Sequence, residues 1–359
     1  MNEFDNDRLV SQWNGRQDAL VLQYNELALS TLANMVGSGT IDVAPQFQRR
    51  DRWNSAKQSA LIESFLINLP IPPIYLSEES GGKFSVIDGR QRLTAIRMFF
   101  AGDLTLGRTA ELPELEGHRY STLPQELKSA LDMRPLRSVT LMRQTDDDIK
   151  YIVFHRLNSA GDVLNSQEIR NVIYRGPLND TIYKLADHSF LRRQLKIESE
   201  QSSAFRKMQD VEFVLRFLTL SETWQRFSGD LAPSMDLFMA RYREAEPRTL
   251  DGFEVRFLRA INGCKSIWGD HAFHRPDGDG WRDQALAGLY DAQMIAMNEL
   301  SDNEIASLAS RSREAIAALR ELFKNDEFDK AVRTGTNTPA RIQTRIDELI
   351  NTLRVLLGR

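Results

Sequence analysis

The chain between residues 40 and 100 most constrains the fold, because short strand patterns and helix patterns follow one another closely there. Pro70-Ile-Pro-Pro73 excludes a helix between them. Apolar spacing predicts strands at Thr40–Val43, Ile74–Leu76 and Lys83–Asp88, and helices from Asn54 or Ser55 to Leu69 and from Arg90 to Phe100. The order strand, helix, strand, strand, helix predicts a compact α+β unit instead of a long alternating βαβ series.

The two ends of the chain differ from this segment. A helix is predicted over Asn25–Val36, after a polar and weakly patterned start. From about residue 178 onward the patterns are helical only, ending in a helix that starts at Pro339. We therefore predict an N-terminal domain over residues 25–180 and an all-α C-terminal domain over residues 205–359, with the division near residues 180–205.

Composition excludes several classes of protein. The 359 residues include 46 Lys and Arg and 50 Asp and Glu, a formal net charge of −4. A generic polyanion binder is excluded, so any contact with nucleic acid needs a local basic patch. One cysteine, Cys264, excludes an internal disulfide framework and a cysteine-cluster zinc site. The acidic start and the lack of a run of about 18 apolar residues predict a cytoplasmic protein without a membrane anchor.

Three segments carry residues suited to chemistry. The first, Pro45–Trp53, crowds Arg49, Arg50 and Arg52 between a strand and a helix. Arginine forks match phosphate oxygens, so the segment is a candidate anion site. A solvated loop held by the aromatic residues Phe47 and Trp53 explains it equally well.

The second segment, Val86–Thr94, ends a strand at Asp88-Gly89 and turns directly into a helix. Backbone N–H groups at such a helix start favour an anion. Asp88 stands where a helix cap stands, which by itself is a structural role. Arg90 and Arg92 in the first turn oppose the helix dipole, which makes sense if a bound polyphosphate balances them. The GxxxxGK[ST] pattern of a Walker A loop is absent.

The third segment, Phe154–Arg170, is predicted to be a helix end, a glycine turn and a capped helix start. Ser166 or Asn165 is the candidate cap, with Glu168 following. The alternative to a plain capped turn is that Asn158, Glu168 and Arg170 face a ligand, with Glu168 acting through a divalent cation.

Together these segments resemble the N-terminal domain family of GmrSD-type restriction endonucleases. That family has an FQR segment, a DGQQR box and a later N-x-x-G-x-x-L-x-x-x-E segment. The counterparts here are Phe47-Gln48-Arg49, the run Asp88-Gly89-Arg90-Gln91-Arg92, and Asn158, Gly161, Leu164 and Glu168. The resemblance covers residues 25–180 and implies a ParB/sulfiredoxin-like fold there.

The resemblance also implies site residues and a cofactor. In the family the DGQQR box serves binding and hydrolysis of a nucleoside triphosphate (NTP), which assigns catalysis to Asp88, Arg92 and Glu168. Asp88 and Glu168 are expected to hold Mg²⁺. The implied nucleotide-binding residues are Phe47, Gln48, Arg49, Gly89, Arg90, Gln91, Asn158 and Arg170. Phosphoryl transfer needs mainly positioning and charge neutralisation, which such a set supplies.

One departure keeps alternatives open, since Arg90 stands where the family has Gln. The leading hypothesis is an NTP-hydrolysing component of a restriction or anti-phage system. It would act on foreign or modified DNA with a separate nuclease partner, and as a homodimer if it follows ParB-like domains. The alternatives are a Mg²⁺-dependent DNA nuclease or nickase using Asp88 and Glu168, and a non-catalytic binding protein switched by nucleotide.

Overall fold

The structure of the chain is a computed structural model, which describes residues 3–43, 53–158 and 165–358. The backbone divides into two compact units, Met1–Ile173 and Tyr174–Arg359. The fold is mixed α/β and mostly helical, with a five-stranded sheet in the first unit. Among the described helices, none combines the length and the apolar character that crossing a bilayer requires.

The first unit combines helices with the five-stranded sheet. Its strands are β1 (Leu22–Ala28), β2 (Ile41–Asp42), β3 (Ile74–Glu78), β4 (Phe84–Asp88) and β5 (Pro135–Leu141). Its helices are α1 (Glu3–Asp18), α2 (Leu29–Gly37), α3 (Ser55–Leu66), α4 (Arg90–Phe100), α5 (Gln125–Met133), α6 (Asp147–Asn158) and α7 (Ser166–Ile173).

The sheet has the strand order β1-β5-β3-β4-β2. β3 and β4 form an antiparallel pair, while β3 runs parallel to β5 and β2 runs parallel to β4. β1 pairs antiparallel with β5 along its whole length, from Leu22 opposite Leu141 to Ala28 opposite Pro135. The central position of β3 and β4 places the end of β4 in the middle of the fold.

The core of the first unit confirms the local predictions between residues 54 and 100. α4 spans the predicted residues and buries Leu93, Ile96 and Phe99, three residues apart on one face. Asn54 caps α3 by accepting the N–H of Lys57 at 3.0 Å. The two predicted strands at residues 74–76 and 83–88 appear as β3 and β4.

The N-terminal prediction was wrong in part. The helix predicted over Asn25–Val36 begins as strand β1, and the helix α2 starts only at Leu29. Pairing of all seven β1 residues with β5 outweighs the local helical spacing, because partners far away in sequence decide the conformation. The polar start of the chain, for which we predicted no element, forms the helix α1.

The second unit is a helical assembly. Its helices are α8 (Pro177–Ala186), α9 (Ser189–Gln194), α10 (Ser203–Arg206), α11 (Gln209–Thr223), α12 (Leu231–Tyr242), α13 (Pro247–Trp268), α14 (Ala287–Glu299), α15 (Asp302–Ser310), α16 (Ser312–Leu322), α17 (Asp326–Arg333) and α18 (Pro339–Leu356). The helix α14 is central, because it packs against α11, α13, α17 and α18. Its ten residues from Gly288 to Met297 are all buried.

A buried ionic cluster joins three of these helices. Asp291 of α14 accepts hydrogen bonds from Arg216 of α11, at 3.1 and 2.5 Å, and from Arg345 of α18 at 2.6 Å. All three side chains are at most 4% exposed. Attraction to Asp291 outweighs the effect of burial and raises the pKa of Arg216, whereas burial lowers the pKa of Arg345. One carboxylate thus pairs with two guanidinium groups that are shielded from water.

The prediction of an all-α second domain was wrong at one place. The strands β6 (His274–Asp277) and β7 (Gly280–Ala285) form an antiparallel hairpin. Its residues lack the apolar alternation that predicts strands, and contacts outside the strands support it instead. Trp281 stacks on His271 with ring centroids 4.6 Å apart, and the guanidinium of Arg320 lies 4.5 Å from the Trp281 ring. The Asp277-Gly278 pair at the turn is the sequence feature that could have predicted the hairpin.

Candidate functional site

The glycine corner, formed by Asp88, Gly89 and Arg90, lies where β4 ends and α4 begins. Gly89 has φ of +98°, a left-handed conformation that glycine adopts freely. A Cβ at this position would lie 2.5 Å from Cγ2 of Ile74, so space as well as conformation requires glycine. Gly89, and not Asp88 as expected, is the N-cap residue, and as a glycine it has no side chain with which to cap α4.

The start of α4 carries two basic side chains, and Arg92 is paired with Asp88 at 2.8 Å. Its first turn holds no acidic residue and includes Arg90 and Arg92. The helix dipole places partial positive charge at the same end, so the two effects add. Backbone N–H groups at the start of a helix are suited to an anion. The glycine corner therefore combines the features that favour a negatively charged ligand.

The side chain of Arg92 is held by partners within the first unit. Its Nη2 donates to Oδ2 of Asp88 at 2.8 Å, and its Nη1 donates to the carbonyl oxygens of Pro73, at 3.3 Å, and of Pro72. The Arg92 side chain is 11% exposed, while that of Asp88 is 41% exposed. Arg92 thus ties the end of β4 to the proline-rich segment, and it leaves an exposed carboxylate on Asp88.

Gln91 connects the corner to the start of α3. Its Oε1 accepts the backbone N–H of Trp53 at 3.1 Å, and Trp53 packs against the core of the first unit. The predicted site residues Phe47, Gln48 and Arg49 lie outside the described residues. Gln91 therefore fixes the chain at Trp53, just after the segment that carries the FQR residues.

Glu168 and Arg170 occupy the start of α7. Asn165 is the cap: its Oδ1 accepts the N–H groups of Gln167 and Glu168, both at 2.9 Å. In return Oε2 of Glu168 accepts the N–H of Asn165 at 2.7 Å, which completes a capping box. Glu168 is 2% exposed and Arg170 is 1% exposed. The capped helix start anticipated from the sequence is present, and Glu168 has a structural role in it.

The two groups of site residues are connected through α6. This helix packs against both β4, which ends at Asp88, and α7, which holds Glu168. Asn158 is the last residue of α6, and its side chain is outside the described part of the structure. The structure thus brings Asp88, Gly89, Gln91 and Arg92 together directly, and it attaches the Glu168 segment to the same strand through α6.

The described side chains do not form a ready-made site for a divalent cation. Within residues 3–43, 53–158 and 165–358, no group of three or more His, Cys, Asp or Glu side chains is placed to hold a metal ion. Mg²⁺ commonly uses one or two carboxylates together with water and substrate phosphates, so a three-residue cluster is not required. Oδ1 of Asp88 has no hydrogen-bond partner among the described residues, which suits this role.

The groups that hold the site residues in place are not evident from the sequence. The carbonyls of Pro72 and Pro73 hold Arg92, whereas in the sequence the proline run indicates only a break between elements. Glu63 of α3 is 5% exposed and accepts the N–H groups of Glu111 at 2.8 Å and Leu112 at 2.6 Å. An acidic residue inside the apolar run Leu61–Leu66 is the sequence feature that indicates a buried hydrogen-bond acceptor at this place.

Comparison with known proteins confirms the resemblance recognised in the sequence. Residues 29–175 match the family model described as GmrSD restriction endonuclease, N-terminal domain. The matched segment is somewhat less than half of the chain and lies almost entirely in the first unit. The match indicates a component of a restriction or defence system. No curated protein and no solved structure matched the chain.

Proposed function

We propose that the N-terminal domain binds a nucleoside triphosphate at the glycine corner and hydrolyses it as part of a restriction or anti-phage system. The observation that carries the proposal is the start of α4, which follows a positive-φ glycine and has two arginines in its first turn. Phosphate groups suit such a helix start. The same corner resembles the strand-to-helix turn of ParB-type proteins and supports a ParB/sulfiredoxin-like fold.

In this proposal the residues of the run Asp88–Arg92 have different roles. Backbone N–H groups of the first turn of α4 and the side chain of Arg90 bind phosphate oxygens, together with Arg49 of the FQR segment. Arg92 acts as a positioning residue, because its guanidinium already donates to Asp88 and to two proline carbonyls. Gln91 positions the chain at Trp53.

Mg²⁺ bound with the nucleotide would neutralise phosphate charge during the transfer. Asp88 is the principal protein ligand in the proposal, since its carboxylate is 41% exposed beside the phosphate-binding turn. Glu168, Asn158 and Arg170 complete the shell around the metal and the phosphates. Asp88 also orients the attacking water, which the paired Arg92 supports by fixing one carboxylate oxygen.

Phosphate release from the four NTPs in the presence of Mg²⁺ tests the proposal. Asp88→Asn keeps the size of the side chain and one acceptor for Arg92, and it should lower turnover by about 100-fold, as loss of a fixed charge at a reacting phosphate does. Arg97→Gln is the matched control, because Arg97 lies in the last turn of α4 and pairs with exposed Asp103 at 3.4 Å. Equal turnover in both variants would contradict the proposed site.

A nucleotide-switched binding protein is the second candidate, and Arg90 is the observation that favours it. The family has Gln at this position of the box, where it can orient water or contact phosphate. Tight nucleotide binding with negligible turnover in the natural protein, and a gain of turnover in Arg90→Gln, would establish the switch. Equal turnover with either residue would remove this candidate.

A DNA substrate and a separate nuclease partner complete the proposal. The support is the matched family, whose description names a restriction endonuclease. Plasmid relaxation by the chain alone, without NTP and lost in Glu168→Gln, would instead identify the chain itself as the nuclease. Light scattering with and without nucleotide tests whether the chain acts as a homodimer.

A further inference from the structure

The second unit contains a cavity of about 230 Å³, which we call the glutamine cavity. It lies between the end of α9, the start of α11 and the strand β7. The carboxamides of Gln194, Gln209 and Gln284 line it, together with the apolar ring of Phe213. None of its lining residues belongs to the first unit, so the cavity is separate from the glycine corner.

The side-chain carboxamides of the glutamine cavity form no hydrogen bond with the residues that the structure describes. Gln194 is only 4% exposed, yet its side-chain amide makes no hydrogen bond to any described residue. The side chains of Gln209 and Gln284 likewise bond to no described residue. Each carboxamide offers two donors and one acceptor to a molecule that enters the cavity. The cavity therefore suits a ligand that presents both acceptors and donors.

The charge of the lining is balanced. Lys196 and Asp283 are its charged residues, and they form an ion pair with 2.5 Å between Nζ and Oδ2. Hydrogen bonding to Lys196 lowers the pKa of Asp283. With both charges satisfied by each other, the cavity does not suit a phosphate group or a metal ion. A neutral ligand therefore fits this lining better than a charged one.

The walls of the glutamine cavity are held in place by the backbone. Lys196 has φ of +56°, and Met208, next to Gln209, has φ of +55°. At Lys196 this left-handed conformation closes the end of α9, where the N–H of Ile197 donates to the carbonyl oxygen of Arg192 at 2.8 Å. On the far side, Phe213 packs against Tyr290 with ring centroids 4.7 Å apart. The cavity is thus shaped before any ligand arrives.

Size and chemistry together point to a purine ring. A cavity of about 150 Å³ accommodates benzene, whose ring has six atoms. The glutamine cavity is larger, at about 230 Å³, and can accommodate a bicyclic ring such as a purine. A glutamine carboxamide pairs with adenine through two hydrogen bonds, to N6 and N7, and an aromatic ring stacks on the base.

We propose that the glutamine cavity binds an adenine ring, with Gln194 reading its edge and Phe213 packing against its face. The adenine can come from a free nucleoside or from an unpaired base of single-stranded DNA. Both sources present the same ring, and the experiment below separates them. The proposal does not depend on NTP binding at the glycine corner.

Calorimetric titration of the full chain with adenosine, guanosine and cytidine tests the adenine site. Adenosine should bind, and guanosine should bind at least about tenfold more weakly because its edge has an acceptor where adenine has a donor. Gln194→Leu keeps the volume of the side chain and should weaken adenosine binding about tenfold or more. The matched control is Gln201→Leu, since Gln201 is exposed and does not line the cavity.

A second variant and a comparison of two DNA strands complete the test. Gln284 is exposed, so Gln284→Ala should preserve the fold and still weaken adenosine binding. An oligo-dA strand compared with an oligo-dC strand of the same length tests DNA as the source, because the two carry equal charge. Binding of adenosine alone identifies a free nucleoside, and preferential binding of oligo-dA identifies DNA. No binding of either at millimolar concentration, or equal affinity of the Gln194→Leu and Gln201→Leu variants, would overturn the proposal.

Discussion

Replacing Gly89 by alanine is the sharpest test of the glycine corner. The new Cβ would lie 2.5 Å from Cγ2 of Ile74, and real Cβ atoms do not approach other heavy atoms so closely. Ile74 cannot move away easily, because it is fully buried in β3 and its branched side chain has restricted rotamers. The variant therefore meets backbone strain at φ of +98° and overlap in the core at the same time.

The two effects can be estimated separately. A non-glycine residue in a left-handed conformation costs about 1–2 kcal/mol. Overpacking of a well-packed core costs about 1–3 kcal/mol more. We therefore expect Gly89→Ala to lower the free energy of unfolding of the first unit by about 2–5 kcal/mol. At about 2–4 °C per kcal/mol, the melting temperature should fall on the order of 10 °C.

Urea denaturation followed by circular dichroism measures this loss, and Gly102→Ala is the matched control. Gly102 follows the other end of α4 with φ of +81°, but a Cβ there would meet no atom within 4 Å. The control thus carries the backbone strain alone, about 1–2 kcal/mol. In an Ile74→Ala background, the cost of Gly89→Ala should shrink toward that of the control, because the methyl group that it meets is gone.

Two results would refute this reasoning. If Gly89→Ala destabilised the protein no more than Gly102→Ala, the contact with Ile74 would not restrict the corner. If the effect of Gly89→Ala stayed the same in the Ile74→Ala background, the loss would arise from some other contact. In either case the close packing of β3 against the start of α4 would need revision.

Three further predictions concern buried polar groups. Burial raises the pKa of Glu63, but hydrogen bonds from backbone N–H groups outweigh it and hold the pKa below its ordinary 4.5. The stability that the Glu63 carboxylate contributes is thus present above pH 4.5 and lost as the pH falls through the lower pKa of the folded state. Glu63→Gln should therefore make the urea midpoint depend less on pH on the acid side. An unchanged pH profile of the midpoint would contradict this. Asp291→Ala leaves two buried guanidinium groups without their carboxylate and should cost about 3–5 kcal/mol in chemical denaturation, whereas a loss below about 1 kcal/mol would contradict the cluster. Glu168→Gln should preserve the capping box, while Glu168→Ala should cost about 1 kcal/mol in thermal unfolding; equal melting temperatures would exclude the capping role.

Local signals made the centre of the first unit predictable. The glycine after β4, the apolar spacing of α4 and the cap at Asn54 all act within a few residues, and the structure agrees with them. The same holds for the capping box of α7, where Asn165 and Glu168 are three residues apart. Such features depend on neighbours in the chain, so a single sequence contains the information that determines them.

Features that depend on distant residues were missed. β1 takes its conformation from β5, more than a hundred residues further along the chain. The partners of Arg92 include Pro72 and Pro73, which no spacing rule connects with it. The hairpin of β6 and β7 depends on Arg320 and Trp281, which come together only in the folded unit. The predicted roles of Phe47, Gln48, Arg49 and the Asn158 side chain stay predictions, because these lie outside the described residues.

The position of β1 has a consequence for handling the protein. The match to the known family starts at residue 29, directly after β1 ends at Ala28. A fragment cut to the matched boundary would lack the edge strand and would leave β5 with a row of bare backbone donors and acceptors. Such a row invites pairing between molecules, so the shortened fragment should precipitate or form sheet-linked aggregates. An expression fragment that begins ahead of Leu22 retains the strand and avoids this outcome.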